Sequence, residues 1–337
     1  MLDKNLLKKY DSGLMHEAYD QWPKMALDNY KRKIELDIDF EGIDHVAFAG
    51  MGGSGAAGEV MRGVLSKSNY HTTIIKGYTL PHTIDSNTLI IATSISGNSE
   101  EPLTILEQIK KSRAKVVGIS TGGKMQDVCK KYNYPHIKIE QVNSPRASLP
   151  IVLYSILSML GSHFRIRIDD VKESIQLLQD TSEKINSNVL SDDNPSLSLG
   201  KWITKIPVIY YPYGLYAAAL RFKNSLQENC KCNAMTEDVV EACHNNIVSW
   251  ERPSPVQPIL IRGVGDYHKT KQRWEILKEY FTLNNIEFRE IMSLEGSILS
   301  KLINFIYLLD YATIYNAVIN KIDPTPIKSI DFIKSKL

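Results

Sequence analysis

A chain of 337 residues, 43% hydrophobic and 23% charged, has room for two domains of ordinary size, each with its own core. Its formal net charge of +2, without a long block of like charge, argues against a nucleic-acid or anionic-membrane partner. The opening MLDKNLLKKYDSG has no apolar core of signal-peptide length, and the most apolar run, Leu149–Leu160, is too short to span a bilayer, so the expectation is a cytoplasmic protein.

Residues 1–40 read as a polar helical arm anchored by Trp22 and Tyr30, suited to packing at a subunit contact. From 41 to 165 apolar runs alternate with helical segments. Strands are expected at His45–Ala49, Thr72–Lys76, Leu89–Thr93, Lys115–Ile119 and His136–Ile139, with helices at Gly55–Leu65, Ser99–Ser112 and Met125–Lys131. Such alternation predicts an α/β fold, a parallel sheet flanked by helices. The turn after the first strand, Gly50-Met51-Gly52-Gly53-Ser54-Gly55, offers backbone N–H groups to an anion. Gly50, Gly52 and Gly55 also satisfy the dinucleotide pattern, but that site needs an acidic residue after the next strand, which ends in Lys76-Gly77-Tyr78. A phosphorylated substrate without a nucleotide is the better reading.

The third strand runs into Thr93-Ser94-Ile95-Ser96-Gly97-Asn98-Ser99-Glu100-Glu101-Pro102. Glu100, Glu101 and Pro102 suit a helix start. A cap would explain Ser99 alone. Three hydroxyls and Gly97 at the C-terminal edge of a parallel strand point instead to a phosphate. Asn143-Ser144-Pro145-Arg146 then precedes an apolar helix at Ser148–Leu160, with Arg146 either a surface residue or a fork of donors for a ligand or carboxylate.

Residues 166–200 form a helical connection with a turn at 191–196, and 201–337 a second α/β domain. Its strands are expected at Ile206–Tyr211, Lys231–Met235, Pro258–Ile261 and Ile286–Ile291, before a long helix at Ser297–Val318 and a short terminal one. Tyr213-Gly214-Leu215 repeats the first glycine turn in degenerate form, so the second copy has lost the anion site. Cys230, Cys232, Cys243 and His244 do not have the spacing of a zinc site and read as ordinary thiols beside a histidine. Glu228 and His244, 16 residues apart in Asn-rich settings, could serve proton transfer on a sugar. Spacing alone equally allows a solvated glutamate and a hydrogen-bonded histidine.

GMGGSG at 50–55, SISGNSEE at 94–101, SPRASLP at 144–150, QEN at 227–229, EACHNNIVSW at 241–250 and DPTPIKSIDFIK at 323–334 occur in this order. Together they resemble the archaeal-type bifunctional phosphoglucose/phosphomannose isomerases, built of two sugar-isomerase (SIS) domains, over nearly the whole chain. The resemblance implies that Gly53, Ser54, Ser94, Ser96, Ser99 and Arg146 bind a hexose 6-phosphate. It implies Glu228 as catalytic base, His244 as ring-opening group and Lys334 as a further catalytic residue, with Lys328 and Lys336 close by. It also implies a homodimer in which His244 reaches the partner's site, and neither metal nor redox cofactor. The chain departs from the family at Ser99, where threonine is usual, at Gln227 and Cys230 around the glutamate, and at Cys243, where asparagine commonly precedes the histidine. Two rivals are a non-catalytic sugar-phosphate-binding SIS regulator, which needs neither Glu228 nor His244, and the isomerase half of a glutamine-dependent aminotransferase. The latter needs an N-terminal nucleophilic cysteine, and the first cysteine here is Cys129.

Overall fold

A computed structural model describes residues 2–140, 142, 144–161 and 163–336; Asn143 of the stretch before Arg146 lies outside them. The chain opens with α1 (Lys4–Tyr10), α2 (Met15–Asp20) and α3 (Trp22–Lys31). It continues through β1 (His45–Ala49), α4 (Gly52–Leu65), β2 (His71–Ile75), β3 (Thr88–Thr93), α5 (Glu100–Gln108), β4 (Lys115–Ser120), α6 (Gly123–Tyr132), β5 (His136–Lys138), α7 (Leu149–Leu160) and α8 (Ile168–Ile185). The remainder is α9 (Pro195–Trp202), β6 (Ile206–Tyr211), α10 (Tyr216–Cys230), β7 (Met235–Asp238), α11 (Val239–Ala242), β8 (Val256–Arg262), α12 (His268–Leu283), β9 (Arg289–Met292), α13 (Ile298–Ile319) and α14 (Lys328–Lys334). These elements make two compact units, one of residues 21–175 and one joining residues up to Asp20 with Gln176 onward.

The first unit holds a parallel sheet in the order β2-β1-β3-β4-β5. Its central strands are buried on both faces, as the continuous apolar runs of β1 and β3 require. Ala47, Ala49, Ile90, Ala92 and Val116 pack against Ile105, Leu106, Met125 and Cys129 of α5 and α6. On the opposite face Gly58 lets α4 close onto Phe48, whose Cβ would stand 2.6 Å from an added methyl. Trp22 is fully buried and its indole donates to the carbonyl of Ala147 at 2.9 Å, so the anchor read from the sequence ties α3 to the turn that carries Arg146.

The second unit repeats the plan with four parallel strands, β7-β6-β8-β9. Val208, Tyr210 and Leu260 pack against Trp274, Leu277 and Phe281 of α12. α13 is long and apolar enough to cross a membrane by length and composition, yet it is almost wholly buried and works as a core helix. It carries Asp310, fully buried, which accepts from Arg221 Nε at 2.9 Å, Tyr19 Oη at 3.0 Å and Ser225 Oγ at 2.6 Å.

Two strands begin later along the chain than the sequence expectation. β7 begins at Met235 rather than Lys231, because Lys231 ends α10 in the left-handed region, at φ 56°, and the chain needs the next residues to reach the sheet. β9 begins at Arg289 rather than Ile286, since Ile286 instead packs with Trp274 and Phe281 on the α12 side.

Candidate active site

In the order β2-β1-β3-β4-β5 the chain reverses direction of travel between β1 and β3, and the crevice beyond their C-terminal ends is where such sheets bind ligands. The glycine turn leaves β1 there and the serine turn leaves β3 there. Ser54 joins them, accepting the amide proton of Ile95 at 3.1 Å. Both turns enter helices, α4 and α5, whose N-caps Met51 and Ser99 make no side-chain capping bond. Two helix starts thus present their first amides to one crevice, a ready anion site.

The serine turn is held tightly. Ser94 is fully buried, donates its hydroxyl to Ser99 Oγ at 3.1 Å and accepts the Ser99 amide at 3.2 Å. Having accepted from Ser94, Ser99 still has its own O–H to donate, and it is half-buried at the rim. Ser96 is exposed and accepts the amide of Asn98 at 3.3 Å. Gly97 sits at φ +72° with the carbonyl of Gly122 only 1.8 Å from where a Cβ would stand, so only glycine fits. The charge of Glu101 holds the phenol of Tyr78 above its ordinary value.

Gly53 and Arg146 complete this group. An added Cβ on Gly53 would stand 3.0 Å from the Cα of Arg146, so the absence of a side chain lets that turn close on the glycine loop. Arg146 is 3% exposed, which excludes the surface alternative. The structure therefore gathers Gly53, Ser54, Ser94, Ser96, Ser99 and Arg146 at one edge of one sheet. The sequence reading missed the buttress from the next turn, where Gly123 at φ +64° backs onto Ser96 O and the Lys124 amide donates to Asn98 Oδ1 at 3.2 Å. The adjacent Gly122 and Gly123 were the available signal.

Glu228, His244 and Lys334 all lie in the other unit. α10 is the crossover between parallel β6 and β7; at 15 residues it is about 22 Å long. Glu228, in its last turn, comes out at the N-terminal edge of the sheet. His244 follows β7 and α11 and comes out at the C-terminal edge, exposed. One chain does not bring these two together. Lys334 ends α14, in which no residue is buried and Ile330, Phe332 and Ile333 are exposed. The segment before α14 is fixed beside Glu228, since Lys231 Nζ donates to the carbonyls of Glu228 at 2.6 Å and Pro324 at 3.2 Å. Cys230 turns its thiol into α13, toward Thr313 O at 3.1 Å, and burial raises its pKa. Among the described residues no three His, Cys, Asp or Glu side chains are grouped to hold a metal ion.

Residues 192–337 match the family described as the bacterial phospho-glucose isomerase C-terminal SIS domain. A bifunctional phosphoglucose/phosphomannose isomerase of Caldicellulosiruptor bescii is 31% identical over 96% of this chain and 98% of its own. A D-glucosamine-6-phosphate 4-epimerase of Sulfolobus acidocaldarius is 26% identical over 73% of this chain and 77% of its own. Among solved structures, the C-terminal domain of glucosamine-fructose-6-phosphate aminotransferase from Francisella tularensis superposes with a TM-score of 0.70 at 13% identity, over 93% of this chain and 98% of that one, which shows the shared fold.

Proposed function

From the premise that the chain belongs to the bifunctional phosphoglucose/phosphomannose isomerases, we propose that it interconverts glucose 6-phosphate or mannose 6-phosphate with fructose 6-phosphate. One observation carries the substrate class: two helix starts without side-chain caps, α4 and α5, meet at the β1/β3 switch point among serine hydroxyls. In this reading the phosphate rests on the amides of Gly53 and Ser54 and on the hydroxyls of Ser96 and Ser99. Ser94 holds Ser99 from beneath, and Arg146 supplies the fixed positive charge. Anchoring one end of the sugar orients the other.

The chemistry is redox-neutral. His244, with Lys334, moves a proton between O5 and O1 to open the ring. Glu228 takes the proton from C2 as O1 gains one, giving an enediol, and returns a proton to C1 as the O2 proton leaves. No oxidant or metal enters that balance. Because Glu228 and His244 leave opposite edges of one sheet, the reading draws them from two copies of a homodimer. The exposed Val240 and Val248 beside His244 and the unburied α14 support such a contact. The first SIS domain is assigned to 41–165 and the second to 201–337, with the helical arm at 1–40 and the connection at 166–200; the setting is the cytoplasm.

The test is a coupled assay for fructose 6-phosphate from glucose 6-phosphate in the presence of a chelator, with glucosamine 6-phosphate as a parallel substrate. Wild type should be active on the first, and Glu228→Gln should lose about 10²–10⁴ in kcat while still binding fructose 6-phosphate. Conversion of glucosamine 6-phosphate alone, read by chromatography of the amino sugar rather than by the coupled assay, would point instead to the 4-epimerisation in the name of the Sulfolobus acidocaldarius relative, and a binder without turnover to the regulator reading.

A further inference from the structure

His244 stands in an exposed turn, and an exposed turn does not by itself hold an imidazole still. Upstream the turn is fixed by the cap of α11: Asp238 accepts the amides of Val240 and Glu241, at 2.8 and 3.2 Å, and the His244 amide donates to Glu241 O at 2.8 Å. Downstream it is fixed by one side chain of the sheet. Tyr210, on the central strand β6, is completely buried, and its hydroxyl accepts the indole N–H of Trp250 at 2.7 Å. The same hydroxyl donates to Oδ1 of Asn246. Asn246 is two residues beyond His244 and Trp250 six, so both ends of the short helix after the histidine turn are bound to one phenol.

We infer that Tyr210 is a positioning residue for ring opening, acting on His244 through Asn246 and Trp250. The inference rests on the proposed role of His244. Its geometry is directional: the indole has only a proton to give, so the phenol must accept it and has its own proton left for the Asn246 carbonyl. Burial raises the phenol's pKa, which keeps that proton in place across the working range. A phenylalanine would fill the same space in the core beside Phe281 and remove only this link.

A double-mutant cycle of Tyr210→Phe and His244→Gln tests it, with kcat and KM measured for fructose 6-phosphate and folding checked by thermal melting. Tyr210→Phe should lower kcat by about tenfold or more and leave KM within about twofold, because the phosphate site is untouched. In the His244→Gln background the same substitution should cost nothing further, since the group it positions is gone. Asn246→Ala, on the partly exposed side of the link, should reproduce the loss without disturbing the core. Full additivity of Tyr210→Phe and His244→Gln, or wild-type kcat in both Tyr210→Phe and Asn246→Ala, would overturn the inference alone. Wild-type activity of His244→Gln would remove the reading of His244 itself, and this inference with it.

Discussion

The hydroxyl of Ser54 accepts the amide proton of Ile95 at 3.1 Å, joining the turn after β1 to the turn after β3. That one bond makes a single cradle of two loops separated by 41 residues. Ser54→Ala would leave the Ile95 amide without this acceptor, at about 1–3 kcal/mol if no water replaces it. The expected result is a KM for fructose 6-phosphate raised by about tenfold, equivalent to about 1.4 kcal/mol, with a melting temperature only a few degrees lower. An unchanged KM would mean that the two turns need no link to hold a phosphate.

The pair Arg221 and Asp310 is a second lever, this time on stability. Both are buried, and the carboxylate is satisfied by Arg221, Tyr19 and Ser225 together. Asp310→Asn removes the carboxylate that pairs with the buried guanidinium and should cost about 3–5 kcal/mol, whereas joint replacement by Arg221→Met and Asp310→Leu should recover most of the loss. Chemical denaturation of the three proteins decides it. A single variant as stable as wild type would show that Arg221 finds another counter-charge.

Asp11 makes acid stability testable. Burial pushes its carboxyl up, but the His16 ring at 2.6 Å and the amides of His16 and Met15 outweigh it, leaving the pKa below the ordinary value. A depressed native pKa contributes stability that is present above the unfolded value, about 3.9, and fades as pH falls through the lower native value. Asp11→Asn should therefore melt below wild type at neutral pH, and the difference should shrink once the pH drops beneath about 4. A gap that stays constant down to that pH would refute the assignment.

Much of this fold can be read from the chain because the inner strands are buried on both faces. HVAFA, TLIIAT and IPVIYY are uninterrupted apolar runs, and they stand as strands within a residue of where the pattern put them. MTED and REIM are edge strands, half exposed and mixed in character, so the apolar residues near them, Ile286 above all, drew the expectation inward. The two turns after β1 and β3 were legible for a similar reason: their glycines are required by contacts as close as that of Gly97 with Gly122 O. The anchoring of His244 was not. Tyr210 meets Asn246 across 36 residues and Trp250 across 40, and a tyrosine inside an apolar strand gives no sign that its hydroxyl has a task. The roles proposed for Glu228 and His244 come from family resemblance, since sixteen residues of separation say nothing of which sheet edge each will reach.

Dual specificity follows from the proposed chemistry. Glucose 6-phosphate and mannose 6-phosphate differ only at C2, and loss of the C2 proton makes that carbon planar in the enediol. The difference between the two sugars therefore vanishes in the intermediate. To serve both, one base must reach C2 from either face, which a rotation about C2–C3 allows while the phosphate stays fixed. In the proposed binding mode Ser96, exposed, and Ser99, half-buried, hold only that far end. A pocket that makes few directed bonds to C1–C3 rejects an epimer by only about 1–3 kcal/mol. Both sugars should be converted to fructose 6-phosphate at rates within about tenfold, a difference of about 1.4 kcal/mol in barrier. Parallel assays on one preparation, with Glu228→Gln as control, make the test. Loss of the glucose activity alone in that variant would mean two separate bases. Absence of mannose 6-phosphate turnover in the wild type would mean that C2–C3 cannot rotate in the site, and the dual reading would fall.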